Sequence, residues 1–382
     1  VPDYIQNAPE VSFIENKSVE DVRAELVADF ESYMTEAEGR PVRLARSSVH
    51  RMILYAAAAQ IYQAMQYVDR AGKQNLLKYS YDQFLDNLAL LKGVVRLPAA
   101  NAYTTLRFTL SAPRESAVGI PAGTRASDGG AMFFATEAYL EIPAGSLTGK
   151  VRAVCTVPGL AGNGFQPGEL KALVDPVPYV AAVENLTLTE GGADLESDGD
   201  LAERVFLAPS AYSTAGPEDS YRYHARAYSP AVGDVAVTSD QAAGRVDVVF
   251  LLADGSSPGP DMVAGLQEYL QADSIRPMTD LVVVAAPEKV PYRLDLTYYV
   301  NRSDSGRALA VQAAVRTAVD GYVRWQRVIG RDVNPSKLLS LVVEAGAKRA
   351  EIAAPAFAPV ASTAVAELEG APQVRYGGLE DD

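Results

Sequence analysis

Apolar positions recur at three- and four-residue steps at Val19, Val22, Leu26, Phe30 and Met34, and this spacing predicts an amphipathic helix. Ser18 and Asp21 stand where a reciprocal N-terminal cap needs a hydroxyl and a carboxylate, and Gly39 with Pro41 breaks the run. Residues 51–70 predict a second helix, rich in alanine and tyrosine, on which Tyr55, Tyr62 and Met65 share one stripe. A third, over 81–92, stops at Gly93, and Pro98 prevents its continuation.

From Tyr103 the grammar changes to short runs of Thr, Val, Phe and Tyr between Gly, Pro and Asn, which predicts a small antiparallel β domain. TTLRFTL, MFFATEAYLEI and KVRAVCTV are its clearest strands, a last strand falls at 183–189, and the glycines and asparagine of 159–168 suit a loop with positive φ. GGADLESDGD reads as a polar hinge before a short helix at 201–207. Next come a helix (217–228), strands (232–238 and 244–252), a helix (260–271) and a strand (280–286), an order that suits a small sheet with helices on one face. Residues 290–301 predict one longer strand, followed by helices at 306–325 and 335–345, a returning strand at 349–353 and an Ala- and Pro-rich tail with an edge strand at 373–376. The expected fold class is α+β and multidomain. It comprises an N-terminal helical region (1–100), a β domain (101–190), a hinge with a short helix (191–216), two small α+β units (217–286 and 287–354) and a C-terminal tail (355–382).

Composition narrows the function classes. A chain of 382 residues that is 48% hydrophobic and 21% charged can bury a real core and is neither a disordered nor a collagen-like polymer. A net charge of -14 repels phosphate backbones and anionic lipids, so no nucleic acid is expected as partner. Membrane insertion is not expected either, because the apolar stretch 52–65 is shorter than the roughly 20 residues a bilayer requires and contains Gln60 and Gln63. The opening VPDYIQNAPE has no charged-then-apolar secretion signal. Cys155 has no cysteine to pair with, and with only His50 and His224 it cannot build a common zinc cage, so neither metal nor cofactor is expected.

The candidate catalytic motifs fail in turn. Residues 194–200 alternate carboxylates like a calcium loop, but the position that needs a bidentate carboxylate is Val205, so the cluster reads as a helix start. The glycines of 159–168 are followed by Glu169 and Leu170, not by the Lys and Ser or Thr of a phosphate loop. His50 and His224 have no nucleophile elbow beside them, and Cys155 in a strand reads as a small buried hydrophobe. The tyrosine stripe has two readings: a face that meets helices of other chains, or packing inside its own domain.

Several stretches in order, YSYDQFLDNLALLKGVVRLPAANA, IPAGTRASDGGAMFFATE, VPGLAGNGFQPGEL, TEGGADLESDGDLAERV, AYSTAGPEDSYRYHARAYSPAVGDVAV and RPMTDLVVVAAPEKVPYRLDL, resemble the baseplate J-like proteins of contractile-tailed phages and related injection machines. The resemblance covers about residues 20–355. It implies a structural wedge subunit that pairs through N-terminal helices with a second copy of itself and a larger baseplate wedge protein, and that borders the hub and sheath-proximal baseplate proteins. Tyr55, Tyr62 and Met65 would then be partner-interface residues. It also implies assembly in the bacterial cytoplasm into a virion, a phage-derived bacteriocin or an extracellular injection particle. A host-surface adhesin built on the β domain and a tail-associated hydrolase are the rival classes.

Overall fold

A computed structural model of the chain describes residues 3–212, 217–240, 243–277 and 279–381. It divides into two compact units, one made of Val1–Arg96 and Ser197–Phe206, the other of Leu97–Glu196 and Leu207–Asp382.

The first unit is helical: a single turn α1 (Asp3–Gln6), then α2 (Val19–Glu38), α3 (Val49–Lys73), α4 (Asp82–Leu90) and most of α5 (Asp198–Leu207). At the start of α2 the Ser18 hydroxyl accepts the Asp21 N–H at 3.2 Å while the Asp21 carboxylate accepts the Ser18 N–H at 2.7 Å, the reciprocal cap expected from sequence. Gly39, at φ 65°, ends the helix. α3 returns along α2, with His50 stacked on Phe30 at 5.7 Å and Arg23 over the Tyr55 ring at 5.1 Å. The connecting loop is fastened by Glu31, which accepts the Leu44 N–H at 2.8 Å and pairs with Arg43 at 2.6 Å. Near the other end of α3, Asp69 accepts the Phe13 N–H at 2.9 Å, and the Phe13 ring lies where a Cβ on Gly72 would be only 2.6 Å away. Arg96 bridges Asp86 at 2.7 Å and Asp198 at 2.6 Å, tying α4 to α5.

The second unit opens with the β domain. A six-stranded, nearly closed sheet runs in the order β7 (Ala172–Leu173), β3 (Arg125–Ser127), β4 (Phe133–Thr136), β6 (Thr148–Pro158), β1 (Asn101–Leu110), β8 (Val180–Asn185), beside a two-stranded antiparallel sheet of β2 (Val118–Ile120) and β5 (Leu140–Ile142). β1 alternates strictly, with Leu106 and Phe108 inward and Thr105 and Arg107 outward, the pattern of a strand with one buried face. MFFATEAYLEI is not one strand. It splits into β4 and β5, which pair with β6 and β2 respectively, and the last strand lies earlier than expected, at Val180–Asn185. In the 159–168 loop Gly159, Gly164 and Gly168 take positive φ, whereas Gly162 does not, and Asn163 is extended at φ -82° and exchanges hydrogen bonds with the backbone of Gly192, both at 2.8 Å.

The stretch read as a polar hinge is packed. Gly191 and Gly192 are buried because Tyr103 and the Gly159 carbonyl press against them; a Cβ would lie 2.3 and 2.5 Å from these groups. Residues 213–216 of that expected segment lie outside the described residues.

Beyond it, α6 (Glu218–Tyr228) and α7 (Pro260–Leu270) cover a three-stranded sheet in the order β11 (Leu281–Ala285), β10 (Arg245–Leu252), β9 (Val232–Asp240), β10 being antiparallel to β9 and parallel to β11. The helix-covered sheet is the arrangement expected from the α-β-β-α-β order. Glu190 joins the β domain to it by accepting the Gly259 N–H at 2.6 Å and the Met262 N–H at 3.2 Å at the start of α7.

The expected single strand over 290–301 is two. β12 (Glu288–Tyr292) pairs in parallel with β15 (Ala364–Leu368), whereas β13 (Asp295–Asn301) lies between β14 (Arg349–Ala354) and β16 (Gln373–Glu380). Pro291 offers no N–H, which suits a two-stranded edge. α8 (Ala308–Gln326) lays Val311, Val315, Val319 and Tyr322 over this core, together with Leu338 and Val342 of α9 (Pro335–Glu344). The segment after 355 is not a loose tail: Val360, Ala364, Val365 and Ala366 are buried, and β16 is fastened by the Arg375–Asp295 ion pair at 2.8 Å.

Candidate assembly surface

α3 carries no charged side chain from residue 52 to residue 68, yet its faces differ. Ala58 and Asp69 are buried, and Leu54, Tyr62 and Met65, which fall on the same side, are half-buried. Tyr62 and Met65 therefore sit on the side that packs within the helical unit. Tyr55 sits at the margin, 37% exposed, with its hydroxyl accepting from Arg51 Nε at 3.1 Å and its ring flanked by Arg23 and Arg51. The structure thus brings the three sequence-predicted residues onto one stripe, but it is the less exposed one.

A neighbouring, more exposed stripe of the same helix was not singled out from the sequence. Val49, Ile53, Ile61 and Val68 lie at helical spacing and are 67%, 61%, 43% and 60% exposed, with Ala57 and Ala64 exposed between them. Their signal was available in the four-, eight- and seven-residue steps and in the absence of charge; the tyrosines drew attention away because large aromatics serve interiors and interfaces alike. At the C-terminal end of α3 the surface deepens into a concavity of about 600 Å³ lined by Tyr67, Arg70, Tyr81, Phe84, Leu88 and Leu91. Tyr81 and Phe84 meet edge-on at 6.2 Å, and both are exposed. Uncharged helix faces with exposed Ile, Val and aromatic side chains between small residues suit close approach by another helix.

The residues weighed for chemistry do not converge. His50 stacks on Phe30; His224 is half-buried, and desolvation draws its pKa below the ordinary value against a backbone hydrogen bond to Ala211. Cys155 is buried in β6, and the space Gly162 leaves bare is filled by its side chain. In the acidic cluster Asp194 accepts the Leu160 N–H, Glu196 the Leu97 N–H and Asp198 the Asp82 N–H, while Ser197 caps Asp200, so these groups serve separate backbone anchors. No helix among the described residues is long and apolar enough to cross a membrane.

Residues 105–192 match the baseplate J-like protein barrel domain, residues 213–286 the baseplate J-like central domain and residues 294–371 the baseplate J-like protein C-terminal domain. The chain belongs to the baseplate J-like family. All three of these matches fall in the strand-rich unit. Over 176 residues this baseplate J-like chain is 27% identical to baseplate protein J of Escherichia phage P2, a match that covers 46% of this chain and 58%, less than two thirds, of that relative. It also resembles a chain in the cryo-EM structure of the anti-feeding prophage baseplate, six-fold symmetrised, at 13% identity and a TM-score of 0.37, over 91% of this chain and 90% of that one. The curated relative is a baseplate protein of a phage.

Proposed function

We propose that this baseplate J-like chain is a structural wedge subunit of a contractile baseplate, in a phage tail or a phage-tail-like injection particle. Its helical unit bundles with the helices of a second copy and of a larger wedge protein, and its strand-rich unit lies in the ring around the hub, next to sheath-proximal components. Assembly takes place in the bacterial cytoplasm, before the particle is released. The observation that carries this reading is the uncharged outer face of α3. Val49, Ile53, Ile61 and Val68 are exposed there, and each large apolar side chain contributes about 1.5–3 kcal/mol when fully removed from water. In a chain of net charge -14, a neutral stripe is also where two copies can approach without strong repulsion.

A double variant of the exposed face tests the proposal. Ile53→Asp with Val68→Asp should leave the melting temperature of the isolated chain close to the parent's and abolish its incorporation into particles, read by co-purification with the other baseplate proteins. Normal incorporation of that double variant would refute the α3 contact.

A further inference from the structure

The barrel holds an arginine that is fixed in place and yet has no acidic partner among the described residues. Arg114, in the loop between β1 and β2, lies with its guanidinium carbon 3.6 Å from the centre of the Tyr179 ring, closer than the other cation–ring contacts among the described residues. Neighbouring barrel arginines are paired: Arg107 with Glu184, Arg125 with Asp175 at 2.8 Å and Arg152 with Glu137 at 3.4 Å. No ion pair or side-chain hydrogen bond is made by Arg114 among the described residues, although acidic groups outnumber basic ones 48 to 34 in the chain.

Both halves of the stack are anchored through the backbone. The Arg114 carbonyl accepts the Gly145 N–H at 2.8 Å, and the Tyr179 carbonyl accepts the Ser111 N–H at 2.9 Å. Tyr179 stands at φ 69°, in the left-handed region that costs a non-glycine residue about 1–2 kcal/mol, so its placement is maintained against a local preference. The stack borders an open concavity of about 580 Å³ that also includes Ser116 and Gly119. The Tyr139 hydroxyl lies over the bare side of Gly119, 2.2 Å from where a Cβ would stand, and Tyr139 and Tyr179 are both exposed.

We infer that Arg114 and Tyr179 form a recognition site for a carboxylate side chain presented by another protein chain. With one face of the guanidinium covered by the ring, its N–H edge remains free, and that edge matches a carboxylate through two parallel hydrogen bonds. Stacking holds the side chain in one orientation before the ligand arrives, which lowers the entropic cost of binding. Glu115 also lines the concavity and repels a carboxylate there, so the two parallel hydrogen bonds from Arg114 have to outweigh that repulsion, and a docked chain adds contacts of its own. That the ligand belongs to a protein rests on the assembly role proposed above; that it is a carboxylate rests on the geometry of the stack.

The full chain, uniformly labelled with nitrogen-15, would be titrated with acetyl-Gly-Glu-Gly-amide, with its Gln counterpart and with galacturonic acid while the backbone amide resonances of Ser116 and Gly119, which line the concavity and are kept in the Arg114 variants, are followed. A saturable shift with the Glu peptide and none with the Gln peptide is expected, weakened about tenfold in Arg114→Lys because an ammonium cannot make the two parallel bonds. Arg114→Gln should melt like the parent, which separates loss of the site from loss of the fold. An equal response to the Gln peptide, or one unchanged in Arg114→Lys, would overturn the site. Stronger binding of galacturonic acid than of the Glu peptide would overturn the protein ligand, and would leave the α3 contact standing.

Discussion

The strand-rich unit fills three clusters of buried side chains, centred on Leu106 and Phe108 of β1, Phe250 of β10 and Leu296 of β13, whereas the helical unit buries scattered residues such as Val22, Ala58, Leu85 and Ala89. More than half of the large apolar side chains exposed among the described residues lie in the helical unit, which holds little over a quarter of the chain. Ion pairs and single hydrogen bonds, such as those of Glu31, Asp69 and Arg96, take the place of a wide core there. The difference teaches that one unit is stabilised mainly by its own packing, while the other keeps apolar surface that another chain can cover.

Core truncation gives the sharpest contrast. Phe250→Ala and Leu296→Ala remove fully buried side chains and should each cost about 2–5 kcal/mol in denaturant unfolding of the strand-rich unit. Ile53→Ala and Val68→Ala on the outer face of α3 should change the isolated chain by about 0.5 kcal/mol or less. If the exposed positions cost as much as the buried ones, the contrast fails.

Tyr62→Ala and Met65→Ala fall between these extremes. Both positions are half-buried on the inner side of α3, so each should cost about 1–2 kcal/mol and lower the melting of the helical unit by a few degrees. Unchanged melting together with lost particle incorporation would mean that the inner stripe, not the outer one, meets the partner.

Glu190 sharpens the comparison within the strand-rich unit. Glu190→Ala removes the cap at the start of α7 and should cost about 1 kcal/mol, while Glu190→Gln keeps an acceptor and should cost less. Gly259→Ala would place a Cβ 2.4 Å from the Glu190 carboxylate and should cost about 1–3 kcal/mol. Denaturant midpoints check all three, and a neutral Gly259→Ala would show that Glu190 can move aside freely.

Much of this fold was legible because its elements follow local rules. The Ser18–Asp21 cap, the Gly39 stop, the alternation of β1 and the helices α7 and α8 each announce themselves within a few residues. What was not legible depends on distant partners. β12 and β13 read as one run, because only the separate partners β15 and β14 divide them. The strand at Ala364–Leu368 looked like linker because alanine carries little hydrophobic signal even where it is 2% exposed. Buried Gly191 looked like hinge because the Tyr103 ring that presses on it is far away in sequence. On α3 the uncharged stretch was legible, but which side of it faces solvent required Phe13 and α2 to be in place.

The smallest effect is a difference in sign with pH. In the helical unit the Leu44 N–H and Arg43 hold the Glu31 carboxyl below its ordinary range, and Lys73 with the Phe13 N–H does the same for Asp69. Each is more acidic folded than unfolded, so its contribution is present above the unfolded pKa, about 4, and is lost as pH falls through the lower folded value. Glu190 goes the other way: desolvation raises its pKa, and the N–H groups of Gly259 and Met262 only partly offset this. Its contribution is therefore present below the unfolded value and is lost as pH rises through the raised folded one. Acidification from neutral pH should weaken the helical unit while the Glu190 contact strengthens, with amide hydrogen exchange reporting each unit separately. Glu31→Gln should flatten the first profile alone and Glu190→Gln the second alone. If both units instead weaken in parallel, and Glu190→Gln leaves that shared profile unchanged, burial does not raise the Glu190 pKa and the electrostatic contrast between the two units does not exist.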